Sequence, residues 1–507
     1  MKQKIYSLDK LQRIISEKKS VGKKIILCHG VFDLLHIGHI KHFKQAKELG
    51  DILAVTLTPD IYVNKGPKRP VFKEKLRVEA VASLDVVDYV ALNTSVTSVN
   101  IIQKLRPNIY CKGPDYKDHN NDISGQIKKE IRTIKSVGGK IAYTQGLTFS
   151  SGNLINSHVN SYSSLQKILI KKIKKNYTFK EIKKIIEDLK KIRILIIGET
   201  IIDQYIFCEA LGKSGKEPIL VLKDVKTEEY IGGAAALARH LSAFSNNISL
   251  LSMVGEKGEY VKEIKKQLPK NINFKYIKKN NSPTILKRRF LDYISYNKVL
   301  GVYKINDSSL TNNQDEIFNN ILKKEISKYD LVIVSDYGHG FISKKNANLI
   351  CKKSKYLALN AQINSANIGA HSMRNYKNTD CLVINEREIQ HEMRDRNTKT
   401  EILMKKLSIQ QKTKNIIVTR GKEGAIIYNR KKNKFNFCEA FAHSAVDKIG
   451  AGDAMLSLVS LCLQNKISNE LSLLIGSLAA AQSAESIGNK YPVSKIKILK
   501  TLENMLK

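Results

Sequence analysis

The chain has no tryptophan, nine prolines in 507 residues, and far fewer acids than bases: 47 Asp+Glu stand against 86 Lys+Arg, a formal net charge of +39. Its seven cysteines are odd in number, and no two are spaced Cys-x-x-Cys. That argues against a disulfide framework and a paired-cysteine zinc site, and it predicts a reduced, cytoplasmic setting. Long apolar runs are also missing. The longest, Leu471 to Ala481, is interrupted by serines and a glycine and is shorter than the roughly 20 residues a membrane span needs. The N-terminal stretch MKQKIYSLDKLQRIISEKK is charged throughout and has no apolar centre, so neither a secretory signal nor a membrane partner is expected. What is present, 42% hydrophobic and 26% charged residues, is the composition of a globular protein. The length suggests two to four domains.

The excess of positive charge would suit a polyanion such as nucleic acid. Base readers, however, concentrate arginine for its bidentate fork. Here lysine greatly outnumbers arginine, the arginines do not cluster, and the lysine, isoleucine and asparagine bias runs through most of the chain. The charge is therefore read as composition, with no nucleic-acid partner expected.

Two segments begin with a β-branched run that ends in a glycine turn: KKIILCHGVFD at 23–33 and IRILIIGETIID at 192–203. Such runs suit strands buried on both faces of a parallel sheet. After the first, the pattern predicts a helix from His39 to Leu49 capped by Gly50, then the strand DILAVTLT. This is the start of a βαβ unit within a doubly wound, Rossmann-like α/β domain. Between the two segments, Leu165 to Lys191 repeats apolar residues at three and four, predicting an amphipathic helix interrupted near Asn176. An antiparallel-looking stretch from about 218 to 305 predicts a small β lid, and alternating strands and helices resume at LVIVSDYG from 331. The expected division is 1–160, a helical linker at 161–191, and an α/β domain at 192–507.

The string GVFDLLHIGHI at 30–40 sets His36 and His39 around Gly38 at the start of a helix. A helix N-terminus favours phosphate through its unbonded amides and dipole, and imidazoles placed there can hydrogen-bond a triphosphate. His-x-x-His alone would equally suit a helix cap or a metal site. In its frame of strand, GxFDxxHxGH, helix, Gly-Asp and strand, it resembles the cytidylyltransferase-like nucleotidylyltransferases. His-Ile-Gly-His also resembles class I aminoacyl-tRNA synthetases, but a downstream Lys-Met-Ser-Lys-Ser-like loop is not found. The first resemblance implies catalysis by His36 and His39 and nucleotide contacts from Gly30, Phe32 and Gly38. KGPDY at 112–116 resembles a Lys-Gly-Gly-Asp-Tyr motif of heptose-phosphate nucleotidylyltransferases, with Pro114 in place of a glycine. TFSSGN resembles the family's Ser-Thr-Thr helix start, with Gly152 in place of the third hydroxyl. Substrate contacts are implied for Lys112, Asp115, Arg69 and Arg77, and phosphate contacts for Ser150 and Ser151. A solvated surface role is the alternative for these basic and hydroxyl residues.

KIGAGDAM at 448–455 places glycines just before an apolar helix. The amides of Gly450, Ala451 and Gly452 can converge on one anion, and Asp453 follows as a general base for a substrate hydroxyl. An ordinary aspartate helix cap is the alternative. Residues 192–500 resemble the ribokinase-like PfkB sugar kinases. That resemblance implies substrate contacts for Asp203, for Gly232 and Gly233, which would let a sugar lie against the backbone, and for Lys287 and Arg289 on a lid strand. Asn385 and Glu388 match an Asn-x-x-Glu motif tied to magnesium and phosphate. Thr419, Arg420, Gly421 and Gly424 match a turn beside ATP. Ala236 stands where the heptose-phosphate kinase branch has asparagine, and LNAQINSANIG at 359–369 replaces its Asp-Pro-Lys-Gly.

Both halves together resemble the bifunctional heptose 7-phosphate kinase/heptose 1-phosphate nucleotidylyltransferases, with the domains in reversed order. This implies Mg2+ and ATP for the kinase, ATP or CTP for nucleotidyl transfer, sugar phosphates as substrates and a homodimer, with no metal ligand assigned directly. A nucleotidylyltransferase with a non-catalytic sugar-binding second domain, and a nucleic-acid- or tRNA-binding enzyme, are the alternatives.

Overall fold

The β-branched runs become the strands of two parallel sheets. The computed structural model describes residues 4–63, 69–117, 122, 125–145, 162–363, 371–442 and 446–506. The chain divides into two compact units, Met1–Ser163 with Ile496–Lys507, and Ser164–Lys495.

In the first unit the described strands are β1 (Ile25–Gly30), β2 (Ile52–Leu57), β3 (Tyr89–Leu92), β4 (Ile109–Lys112) and β5 (Lys140–Tyr143). They form one parallel sheet in the order β3-β2-β1-β4-β5. Alternate residues of β1 serve opposite layers. Ile25 and Leu27 pack with Leu11, Ile15 and Ile102 of the helices on one face, while Ile26 and Cys28 pack with Phe43, Val78 and Val81 on the other. The helix after β1 runs Ile37–Lys47, two residues earlier at each end than the pattern suggested, because His36 caps it. Gly50 serves close packing rather than a left-handed cap: a Cβ there would lie 2.2 Å from Ile26 Cδ1 and 3.0 Å from the Lys24 carbonyl oxygen.

The second unit begins with two helices, Ser164–Asn176 and Phe179–Asp188. The break expected near Asn176 is made by Thr178, whose hydroxyl caps the second helix while Glu181 reaches back to its amide. The first of these helices is anchored within the unit, with Lys172 2.5 Å from Glu470 and Gln166 donating to the Ala440 carbonyl at 2.8 Å.

Next come β6 (Arg193–Gly198), β7 (Thr200–Lys213), β8 (Leu220–Gly233), β9 (Asn247–Gly255), β10 (Ile272–Lys279), β11 (Ile285–Asp292) and β12 (Lys298–Lys304). They are followed by β13 (Leu331–Asp336), β14 (Leu357–Ala361), β15 (Cys381–Asn385), β16 (Asn415–Thr419), β17 (Ala425–Asn429) and β18 (Lys434–Cys438). Among the described residues they form a nine-stranded sheet, β10-β9-β6-β13-β14-β15-β16-β17-β18, and a four-stranded lid, β12-β11-β7-β8. The stretch expected to be antiparallel is so for β7 with β8 and β11 with β12, but β7 and β11 run parallel. The reason is connectivity: β7 follows β6 and β11 follows β10, so both leave the main sheet at the carboxyl ends of parallel strands. Among the described residues no helix is long and apolar enough to cross a membrane.

Candidate functional sites

In an open parallel sheet, ligands bind beyond the carboxyl ends of the strands, where the strand order reverses. In the first unit that point lies between β1 and β4, and the His-Ile-Gly-His loop leaves β1 there. His36 is the helix N-cap: its Nδ1 accepts from the Gly38 amide at 3.1 Å, and its ring stacks on His39 with centroids 3.9 Å apart. Phe32 meets the His39 ring edge-on at 5.5 Å. It is itself buried in the core, over the space that a side chain at Gly30 would need. Asp33 is wholly buried and accepts from the amides of Val71 and Phe72 at 2.9 and 3.1 Å, with the Arg69 guanidinium 3.7 Å away.

The structure gives Arg77 a different task from the substrate contact expected of it. It is 1% exposed, and its nitrogens bond the carbonyls of Phe72, Val31 and Thr58 and the Asp60 carboxylate. It therefore ties the loop after β1 to the segments after β2. Lys112 is buried too, 3.0 Å from Glu130 and over the rings of Tyr110 and Tyr116. Burial works against its charge, but Tyr110 and Glu130 more than compensate, so it stays a fixed cation. Asp115 is exposed on the turn Pro114–Tyr116. Ser150 and Ser151 lie outside the described residues. Two imidazoles not singled out in the sequence also stand at this end of the sheet. Burial, then Lys112, holds His29 down to about 3 and His42 down to about 4, so both are neutral. They lie 3.0 Å from the hydroxyls of Thr56 and Thr144 respectively. Their only sequence signal is histidine at a strand end and one helical turn past His39.

In the second unit two pockets meet at Gly450 and Asp453. One is lined by Asn360, Asn385, Glu388, Thr419 and Gly452. The other is lined by Asp203, Lys287, Arg289, Tyr303, Tyr337 and His339, among others. Gly450 has φ +87°, and a Cβ there would lie 2.1 Å from Asn489 Oδ1, so the turn needs glycine. It caps the helix Ala451–Gln464, whose first amides have no partner within the helix. Asp453 sits in the first turn and accepts from the Tyr337 hydroxyl at 3.0 Å. Burial pushes its carboxyl up to about 7; the Tyr337 hydroxyl works against this and Asp203 adds to it. A carboxylate poised there suits proton transfer near neutrality.

Asp203 is paired with Arg289. Gly232 makes room for that aspartate: a Cβ would lie 2.2 Å from Asp203 Oδ2. Gly233 has φ +59°, and a Cβ would lie 2.3 Å from the Glu199 carbonyl oxygen, so the diglycine shapes the pocket wall. The Lys287 amine stands 5.7 Å from the centroids of both Tyr303 and Tyr337. Burial lowers its pKa and Asp203 opposes that.

Asn385 and Glu388 cap a helix reciprocally, Glu388 Oε2 accepting from the Asn385 amide at 2.7 Å. Burial pushes the Glu388 carboxyl up to about 7. Thr419 lines the pocket beside them. Arg420 reaches Glu423 at 3.1 Å, and its amide donates to Gly424 across the turn that holds Gly421.

Sequence reasoning missed Asp447. It accepts from Lys298 at 2.6 Å, from Tyr205 at 3.1 Å and from the Ile449 and Gly488 amides, so it fastens the glycine turn to the lid. An acid six residues before Asp453 was the available signal.

Comparison with known proteins matches this architecture. The family model described as pfkB family carbohydrate kinase matches residues 191–496, and the one described as Cytidylyltransferase-like matches 27–170. The Bifunctional protein HldE of Citrifermentans bemidjiense is 38% identical over 162 residues, 31% of this chain and 32% of the relative. That of Campylobacter concisus is 39% identical over 139 residues, 27% and 29% of the two chains. The chain thus spans about a third of the length of the curated relatives it matches. Phosphofructokinase-2 from Escherichia coli, solved in complex with potassium, shares the fold with a TM-score of 0.52 at 14% identity, covering 62% of this chain and all of that one. The chain belongs to the pfkB family of carbohydrate kinases, with a cytidylyltransferase-like region preceding the kinase region.

Proposed function

We propose that the chain is a bifunctional enzyme. Its second unit phosphorylates a sugar or sugar phosphate of the heptose 7-phosphate kind with MgATP. Its first unit transfers a nucleotidyl group from ATP or CTP to a sugar 1-phosphate, releasing pyrophosphate, for nucleotide-sugar and surface polysaccharide or lipopolysaccharide synthesis. The observation that carries the reading is the junction of two pockets at Gly450 and Asp453. On this reading a sugar hydroxyl beside Asp453 gives up its proton to the carboxylate as its oxygen attacks the γ-phosphorus. The amides of Gly450, Ala451 and Gly452 stabilise the charge on the transferring group. Lys287, which has no acidic hydrogen-bond partner among the described residues, supplies positive charge for a substrate phosphate.

Among the described residues no cluster of three or more His, Cys, Asp or Glu side chains forms a metal cage. Asn385 and Glu388 offer oxygen donors that suit a magnesium ion arriving on the nucleotide with its waters, as this ion prefers. Such an ion would neutralise phosphate charge. In the first unit the stacked pair His36 and His39 would hold the triphosphate by hydrogen bonds at a helix N-terminus, with no covalent enzyme intermediate.

A homodimer is part of the proposal. Leu220, Val299, Leu300 and Val302 of the lid are each 45–57% exposed, an apolar surface that a second copy would cover. Sedimentation at graded concentration tests it.

The central test screens sugar phosphates against the four nucleoside triphosphates, following ADP and pyrophosphate separately. Asp453→Asn should abolish sugar-dependent ADP release and spare pyrophosphate release, and His39→Ala should do the reverse. Loss of both activities from either change in a folded protein would refute two independent sites.

A further inference from the structure

His339 is held at almost every polar atom. Its amide donates to Glu199 Oε1 at 3.1 Å, its carbonyl accepts from the Lys279 amine at 2.9 Å, and its Nδ1 stands 2.6 Å from Asp307 Oδ1. The side chain is 1% exposed. Its remaining polar atom, Nε2, is buried without a hydrogen-bond partner among the described residues, although the residue lines the pocket shared with Asp203, Lys287 and Asp453. A buried polar atom left unpaired is destabilising, so a pocket built this way is complete only when a ligand supplies the partner.

The surrounding charges decide which partner. A carboxylate only accepts, so Asp307 requires the proton on Nδ1. Burial, together with the positive charges of Lys287 and Lys279, holds the ring below its ordinary pKa, with Asp307 opposing. The ring is then neutral and Nε2 carries a lone pair, which repels a phosphate oxygen and accepts from an O–H.

We propose that His339 is a specificity-determining residue that accepts a hydrogen bond from one hydroxyl of the sugar phosphate, while the substrate's phosphate is left to Lys287. Asp307 is the positioning residue that fixes the tautomer. This inference rests on the kinase reading above.

The test uses the full-length chain, heptose 7-phosphate and its set of monodeoxy derivatives, with ADP release as readout. In the wild type one derivative should lose about 10-fold to 100-fold in kcat/KM relative to the parent sugar, while the others change little. His339→Phe fills the same volume without an acceptor, and His339→Ala leaves space. In whichever variant folds, the same derivative should lie within about threefold of the parent, because the partner it fails to satisfy is gone. A purely structural role would lower the rate for every sugar alike and leave the discrimination intact. Unchanged discrimination in an active variant, or no sensitive derivative in the wild type, would overturn the inference alone. No sugar-dependent ADP release from the wild type would overturn the kinase reading, and the inference with it.

Discussion

Removing the Tyr337 hydroxyl should move the pH dependence of phosphorylation in a calculable way. The hydroxyl donates to Asp453 Oδ1 at 3.0 Å and favours the ionised carboxylate, whose pKa burial has pushed up to about 7. A proton-accepting base must be ionised, so kcat/KM for the sugar should fall about tenfold for each pH step below that midpoint and level off above it. A hydrogen bond to a charged group contributes about 1.5–3 kcal/mol, and 1.36 kcal/mol is one pKa unit. Tyr337→Phe should therefore carry the midpoint of the acid limb up to between about 8 and 9. At pH 7 the ionised fraction would drop from about one half to between about 9% and 1%, a loss of roughly five- to fifty-fold in kcat/KM that recovers by about pH 10. The assay is initial-rate ADP release across pH 5.5–10 with sugar well below KM. An acid limb that stays in place, or a loss of equal size at every pH, would refute the assignment of Asp453 as a base tuned by Tyr337.

Further outcomes follow from the glycine contacts and the buried ion pair. Gly232→Ala drives a Cβ against Asp203 and should break the Asp203–Arg289 pair, raising KM for the sugar at least about tenfold with little change in KM for ATP. Arg77→Ala leaves three carbonyls, one of them buried, and Asp60 without their partner and should cost about 3–5 kcal/mol, read as a lower urea midpoint. Arg77→Lys should recover only part of that, because an ammonium cannot reproduce the planar fork. If Arg77→Ala instead left stability unchanged and raised KM for the sugar 1-phosphate, the substrate role would stand.

The local elements were legible along the chain. The β-branched runs at 24–30 and 193–198 are strands because alternate residues of each are buried on opposite faces. The break in the 164–188 helix is legible because Thr178 and Glu181 form a capping box within four residues. The His-Ile-Gly-His and Gly-Ala-Gly-Asp strings could be placed at helix N-termini for the same reason: caps and turns are decided by neighbours in the chain. Tertiary structure alone decided which charged residues are free to meet a ligand. Arg77 and Lys112 read as binding residues, yet their partners, Val31 and Thr58 for one and Glu130 for the other, lie 18 to 46 positions away and consume them. Gly232 yields its space to Asp203, which is 29 residues earlier, and His339 acquires its tautomer from Asp307, 32 residues earlier. A side chain's charge is written in the sequence, but whether that charge is satisfied depends on what the fold brings within 3 Å of it, and that is not a local property.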